Sequence, residues 1–174
     1  MLTSEKENRM MKFDLNIIIY RPLSRVFAFV TIPENDFHWQ YGTLMSTKIS
    51  RGEIGIGSVF RTVGHFMGRR FESVYEVTEF EPNKQYAFKS LSGPFDSHIL
   101  YKFEITKGST RISNSVQISP GESLKSSPIT AERTVKKQYR ENLALLKDIL
   151  ELSQVEVPSD GNFAVPKRRR SDLR

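Results

Sequence analysis

The chain of 174 residues contains no cysteine, which excludes disulfides, thiolate metal sites, cysteine nucleophiles and iron–sulfur clusters together. Its three histidines, His38, His65 and His98, lie far apart, and neither H-x-x-x-H nor HExxH spacing occurs. No metal or other cofactor is therefore expected. No apolar run approaches the ~18–20 residues that span a bilayer. The opening residues, with SEKENR among them, lack the apolar stretch of a secretory signal. A soluble cytoplasmic protein is the expectation. There is no P-loop, dinucleotide fingerprint or G-x-S-x-G elbow. The glycines of GEIGIG precede a strand where phosphate binding would need a helix, so they read as turn glycines.

Hydrophobic residues make up 38% and charged residues 26% of the chain, with a net charge of +6. These values suit one soluble domain with a sizeable core. The charge is unevenly placed. Residues 163–174, ending in KRRRSDLR, hold five basic and one acidic side chain, leaving +2 for the rest. A near-neutral domain over residues 11–154 is expected, with a disordered lead at 1–10 and a disordered basic tail at 155–174.

Within the domain, Phe13, Leu15, Ile17 and Ile19 alternate with polar neighbours, the mark of a half-buried strand. Pro22, Leu23, Val26, Phe27 and Val30 suggest a short helix, and Glu34 to Gln40 a second one. Strands are expected at Leu44–Ser50, Ser58–Phe66, Arg69–Phe80, Gln85–Leu91, His98–Thr106 and Arg111–Ile118, with a turn between each pair. After a loop from Ser119 to Pro128, the spacing of Val135, Tyr139, Leu143, Leu146 and Leu150 predicts a long amphipathic helix over 129–152. A sheet with one long helix to cover it must curl around that helix, which tends to leave a space between them.

The run RPLSRVFAFVTIPENDFHW resembles the opening of the START-like, Bet v 1-like (SRPBCC) superfamily. It is more narrowly similar to the polyketide cyclase/dehydrase and lipid transport type, through Arg21, Pro22, Val26, Phe27, Val30, Thr31, Pro33, Glu34, Asn35 and Trp39. Ile32 stands where that pattern has a capping aspartate. GIGSVFR, GRRFE, VTEFEP, SGP and GSTR continue the match in order, so the resemblance covers roughly residues 11 to 152. It implies an α+β helix-grip fold: seven antiparallel strands curled around a long C-terminal helix, two short helices after the first strand, and a hydrophobic cavity. Members bind or carry lipids and other apolar molecules, and some cyclise or dehydrate polyketides.

Strand parity nominates the cavity wall. Phe60, Thr62, Phe66, Phe71, Ser73, Tyr75, Phe88, Ser90, Tyr101, Phe103 and Asn114 fall on the inward face, and Tyr139 and Leu143 on the helix cross it. Trp39 joins them from the second short helix. This set is aromatic with a few neutral polar groups, and no inward strand position is His, Asp or Glu. The expected function is binding, transport or sequestration of a hydrophobic or amphipathic small molecule by a monomer or homodimer. A cyclase/dehydratase-like enzyme using Tyr75, Tyr101 or His38 as acid is the alternative. The Lys167–Arg170 run offers a second, an anionic membrane or nucleic acid held by the tail.

Overall fold

A computed structural model of the chain describes residues 10–66, 68–120 and 132–152. The expected basic tail, the lead up to Asn8 and Arg9, and most of the loop before the last helix lie outside these residues.

The first strand, β1 (Met11–Ile19), buries Met11, Phe13 and Leu15 and exposes Lys12, Asp14 and Asn16. Helix α1 (Leu23–Val30) buries Val26, Phe27 and Val30 on one face. Thr31 closes it, its N–H and Oγ1 both donating to the Phe27 carbonyl, at 3.0 and 2.9 Å. The second helix is split. Pro33–Asn35 forms a 3-10 turn, and α2 (Asp36–Trp39) follows as a single α-helical turn. Ile32 gives this turn no side-chain cap, as its non-polar side chain requires.

Six further strands follow: β2 (Thr43–Lys48), β3 (Val59–Phe66), β4 (Arg69–Glu81), β5 (Gln85–Ser92), β6 (Phe95–Thr106) and β7 (Ser109–Pro120). Several outrun their sequence pattern. β6 and β7 remain paired to Phe95↔Pro120 at one end and Thr106↔Ser109 at the other. Partner strands supply backbone hydrogen bonds where local alternation has already faded.

All pairings are antiparallel, in the order β1-β7-β6-β5-β4-β3-β2. The register shifts once between β2 and β3 and twice between β4 and β5, and such bulges bend long strands. Helix α3 (Glu132–Leu152) turns Val135, Leu143, Leu146 and Leu150 toward the sheet, and Tyr139 meets Phe13 edge-on at 5.5 Å. Its last turn is clasped to the end of β1. The Tyr20 N–H and Lys147 Nζ both donate to Glu151 Oε1, at 2.8 and 2.6 Å, Lys147 also reaches the Ile18 carbonyl at 2.7 Å, and Arg21 donates to the Glu151 carbonyl. The result is the expected α+β helix-grip architecture.

Candidate functional site

Between the curled sheet and α3 lies a cavity of about 290 Å³, partly open to solvent. Phe60, Tyr75 and Phe88 form one wall: Phe60 stacks on Tyr75 at 5.2 Å and 20°, and Phe88 meets both edge-on at 5.2 and 5.5 Å. Alternate residues of three adjacent strands place these rings on one face, because Phe60 opposes Tyr75 across β3 and β4. Phe66 and Phe95, edge-on at 5.0 Å, line the cavity together with Phe71. Ile99, Tyr101 and Ile118 supply the floor, and Val135 and Tyr139 the helix side.

Of the residues nominated from sequence, Phe60, Thr62, Phe66, Phe71, Tyr75, Phe88, Tyr101 and Tyr139 line this cavity. The others do not, for separate reasons. Ser73 is buried against Gly93 and hydrogen-bonds the Tyr75 side chain, so it orients a lining residue from behind. Ser90 Oγ is taken by the Ser97 N–H at 2.8 Å. Phe103 packs edge-on against Phe27 of α1 at 5.1 Å, in the solid part of the core. Leu143 and Trp39 are core residues, Trp39 lying edge-on to Tyr101 at 6.3 Å. Asn114 is fully buried and donates to the Leu100 carbonyl at 3.3 Å. Its Oδ1 and the Trp39 Nε1 have no partner among the described residues. Parity alone cannot tell a side chain that meets the cavity from one that meets the core beneath α1.

His38 is exposed, 5.2 Å from the Phe37 ring, and is not part of the cavity wall. His65, read from parity as outward, borders the cavity while remaining exposed. Beside it the carbonyl of Gly42, a residue at φ +81°, accepts the His65 N–H at 2.8 Å, and a Cβ on Gly42 would fall 2.4 Å from the His65 carbonyl oxygen. His98 lies 3.5 Å from Thr78 Oγ1, away from the cavity. Arg61 is paired with Glu72 at 2.7 Å, whereas Arg69 and Arg70 are exposed at the β4 end of the hairpin. Among the described residues no cluster suits a metal ion, and no helix is long and apolar enough to cross a membrane.

The residue that sequence reasoning missed is Asp36. It sits on α2, is 8% exposed, and borders the cavity. Its carboxyl is hydrogen-bonded by the side chains of Gln40 and Ser46, and Ser46 Oγ lies 3.0 Å from Thr62 Oγ1 on β3. Burial drives its pKa up from 3.8 to about 8, more than those hydrogen bonds lower it, and the charge of Glu34 adds to the rise. Asp36 was visible as the residue three before the buried Trp39, one helical turn away, but strand parity never tests a helix. Tyr75, Tyr101 and Tyr139 all have pKa values raised chiefly by burial, so they remain neutral phenols. Asn142 Oδ1 accepts from the Tyr41 N–H at 3.1 Å and from Gln138 Nε2 at 3.0 Å, tying α3 to the segment after α2.

Comparison with known proteins adds a family and a set of similar folds. Residues 10–151 match the family model described as polyketide cyclase / dehydrase and lipid transport. Among curated proteins nothing matches. The Zhui aromatase/cyclase from Streptomyces sp. R1128 is 11% identical with a TM-score of 0.67, over 82% of this chain and 94% of that one. A START superfamily protein from Mycobacterium smegmatis is 17% identical, TM-score 0.63, over 80% of this chain and 94% of its own. The di-domain ARO/CYC StfQ from the steffimycin biosynthetic pathway gives 12% and 0.65, this chain spanning 84% of itself and 52% of that protein. At such identities these similarities concern the fold.

Proposed function

Because the chain belongs to the polyketide cyclase/dehydrase and lipid transport family, we propose that it binds a hydrophobic or amphipathic small molecule in this cavity. Its role is to carry or sequester that molecule. The observation behind this reading is the cavity of about 290 Å³ walled by Phe60, Phe88, Phe66 and Phe71 and by three neutral tyrosines. Such a volume lies at the lower end of small-molecule sites, and the mix of apolar wall and sparse polar groups matches their composition. Affinity comes from apolar surface leaving water, about 25 cal/mol for each Å². Tyr75, Tyr101, Tyr139 and Asp36 supply orientation.

A cyclase or dehydratase working through the acids nominated from sequence draws less support. Burial makes the Tyr75 and Tyr101 phenols weaker acids, and His38 stands outside the cavity wall.

Native mass spectrometry of the purified protein before and after denaturation tests the binding reading, joined to thermal shift across fatty acids, sterols and aromatic polyketides. A co-purified small molecule, or a shift of several degrees with one class, is the expected result. Consistent absence of both would refute it.

A further inference from the structure

Asp36 is the one carboxyl among the described residues that border the cavity, and no lysine or arginine borders it there. Two neutral side chains, Gln40 and Ser46, hydrogen-bond the carboxyl. The ionisable groups acting on or near it are Glu34 in the turn before α2, Tyr75 on β4, Tyr86 on β5 and Tyr101 on β6. β2 and β3 bring Ser46 and Thr62, and α3 brings Gln138 and Asn142, all neutral, while His65 borders the cavity and is exposed. Glu34 is itself engaged by the Lys48 N–H at 2.9 Å. A buried carboxylate in such surroundings has no cation to offset its lost hydration.

We infer that Asp36 is the specificity-determining anchor of the cavity, acting as a neutral acid that donates its O–H to an uncharged carbonyl oxygen on an otherwise apolar ligand. The inference rests on the ligand-binding reading above and narrows its ligand class. A ketone or ester oxygen accepts the carboxyl hydrogen without bringing charge. A ligand carboxylate would bring an unpaired anion into a wall that holds no cation, so fatty acids are disfavoured relative to ketones of equal length. The raised pKa of Asp36, about 8 with burial as its main cause, keeps the acid form in the majority at neutral pH. The same carboxyl loses its donor hydrogen as pH rises through that value.

The test displaces the neutral fluorescent probe N-phenyl-1-naphthylamine with 2-dodecanone or dodecanoate, from pH 6 to 9.5, in wild type and Asp36→Asn. At pH 7 the ketone is expected to bind at least about tenfold tighter than the carboxylate, the weight of one charge-sensitive hydrogen bond. Ketone affinity in wild type should fall above pH 8, approaching about tenfold per pH unit. Asp36→Asn should lose the pH dependence of ketone binding. If the probe binds but ketone and carboxylate compete equally, or wild-type ketone affinity stays flat to pH 9.5, the inference falls and the ligand-binding reading stands. If neither the probe nor the ketone binds, both fall. The comparison of the two ligands on wild type is independent of how the variant folds.

Discussion

Replacing Asp36 by asparagine should make the protein more stable at neutral and alkaline pH, although a native residue with two hydrogen-bond partners is lost. Folded Asp36 holds its proton to about pH 8, whereas its ordinary value is 3.8. Between those limits the native state binds more protons than the unfolded chain, so stability falls as pH rises, by about 1.4 kcal/mol per pH unit. The contribution of this residue is complete below about pH 4, declines through the window, and is lost above about 8. From pH 5 to pH 8 the decline amounts to roughly 4 kcal/mol, a large share of the ~5–15 kcal/mol by which domains of this kind are stable. Asparagine resembles the neutral acid in shape and has no such slope. Urea unfolding followed by circular dichroism, at each pH unit from 5 to 9, gives the free energy of both proteins. Subtracting one from the other cancels every other titrating group. Asp36→Asn should gain on the wild type by roughly 4 kcal/mol between pH 5 and pH 8. A difference that stays constant across this range would refute the reasoning, since it would mean that water or a cation reaches the carboxyl.

Other substitutions probe the walls and joints. Phe60→Ala removes a ring that is 2% exposed and stacked on Tyr75, so urea unfolding should register a loss of about 3–5 kcal/mol. Trp39→Phe should cost far less than Trp39→Ala, because the indole Nε1 has no partner among the described residues and only contact area is lost; equal melting temperatures for the two would contradict this. Gly93→Ala must place a Cβ 2.2 Å from Ser73 Oγ at φ +131°, and a loss of about 1–3 kcal/mol is expected, whereas Gly68→Ala, with nothing within 4 Å, carries only the cost of its left-handed backbone. On the acid side, burial works against ionised Glu151, but the Lys147 and Tyr20 hydrogen bonds and the charges of Lys147 and Arg21 lower its pKa below 4.5. Its stabilisation is therefore present above about pH 4.5 and lost as pH falls through the lowered value, and Glu151→Gln should flatten the acid limb of a melting-temperature profile.

Much of this was legible in the sequence because the chain obeys two clean periods. Alternation located β1, and β3 to β7 within a few residues, and the spacing of Val135, Leu143, Leu146 and Leu150 located α3. The cavity wall was harder for a physical reason. Parity assigns a side chain to a face of the sheet, but the concave face is shared between the cavity and the packed core under α1. Phe60 and Phe103 look alike by parity, yet only Phe60 borders the cavity, because Phe27 already covers Phe103. His65 is exposed, as its parity requires, and still borders the cavity, which a face assignment alone does not foresee. Asp36 escaped because a four-residue helix has too few positions for a period, and its surroundings include Ser46 and Thr62 on the two strands that follow.

The first strand pairs with the last, Met11 to Ile118 through Ile19 to Thr110, while the other six form a chain of near neighbours. β2 to β7 can assemble hairpin by hairpin, with little loop entropy at each step. β1 must close a loop of about ninety residues to find β7, and α3, clasped to the end of β1, has its seat only once that loop has closed. The cavity is therefore a product of the most non-local contacts described, those of α3 with the end of β1. Occupancy by a ligand would report that the chain has joined end to end, and by mass action would favour that joined state over every partly zipped sheet.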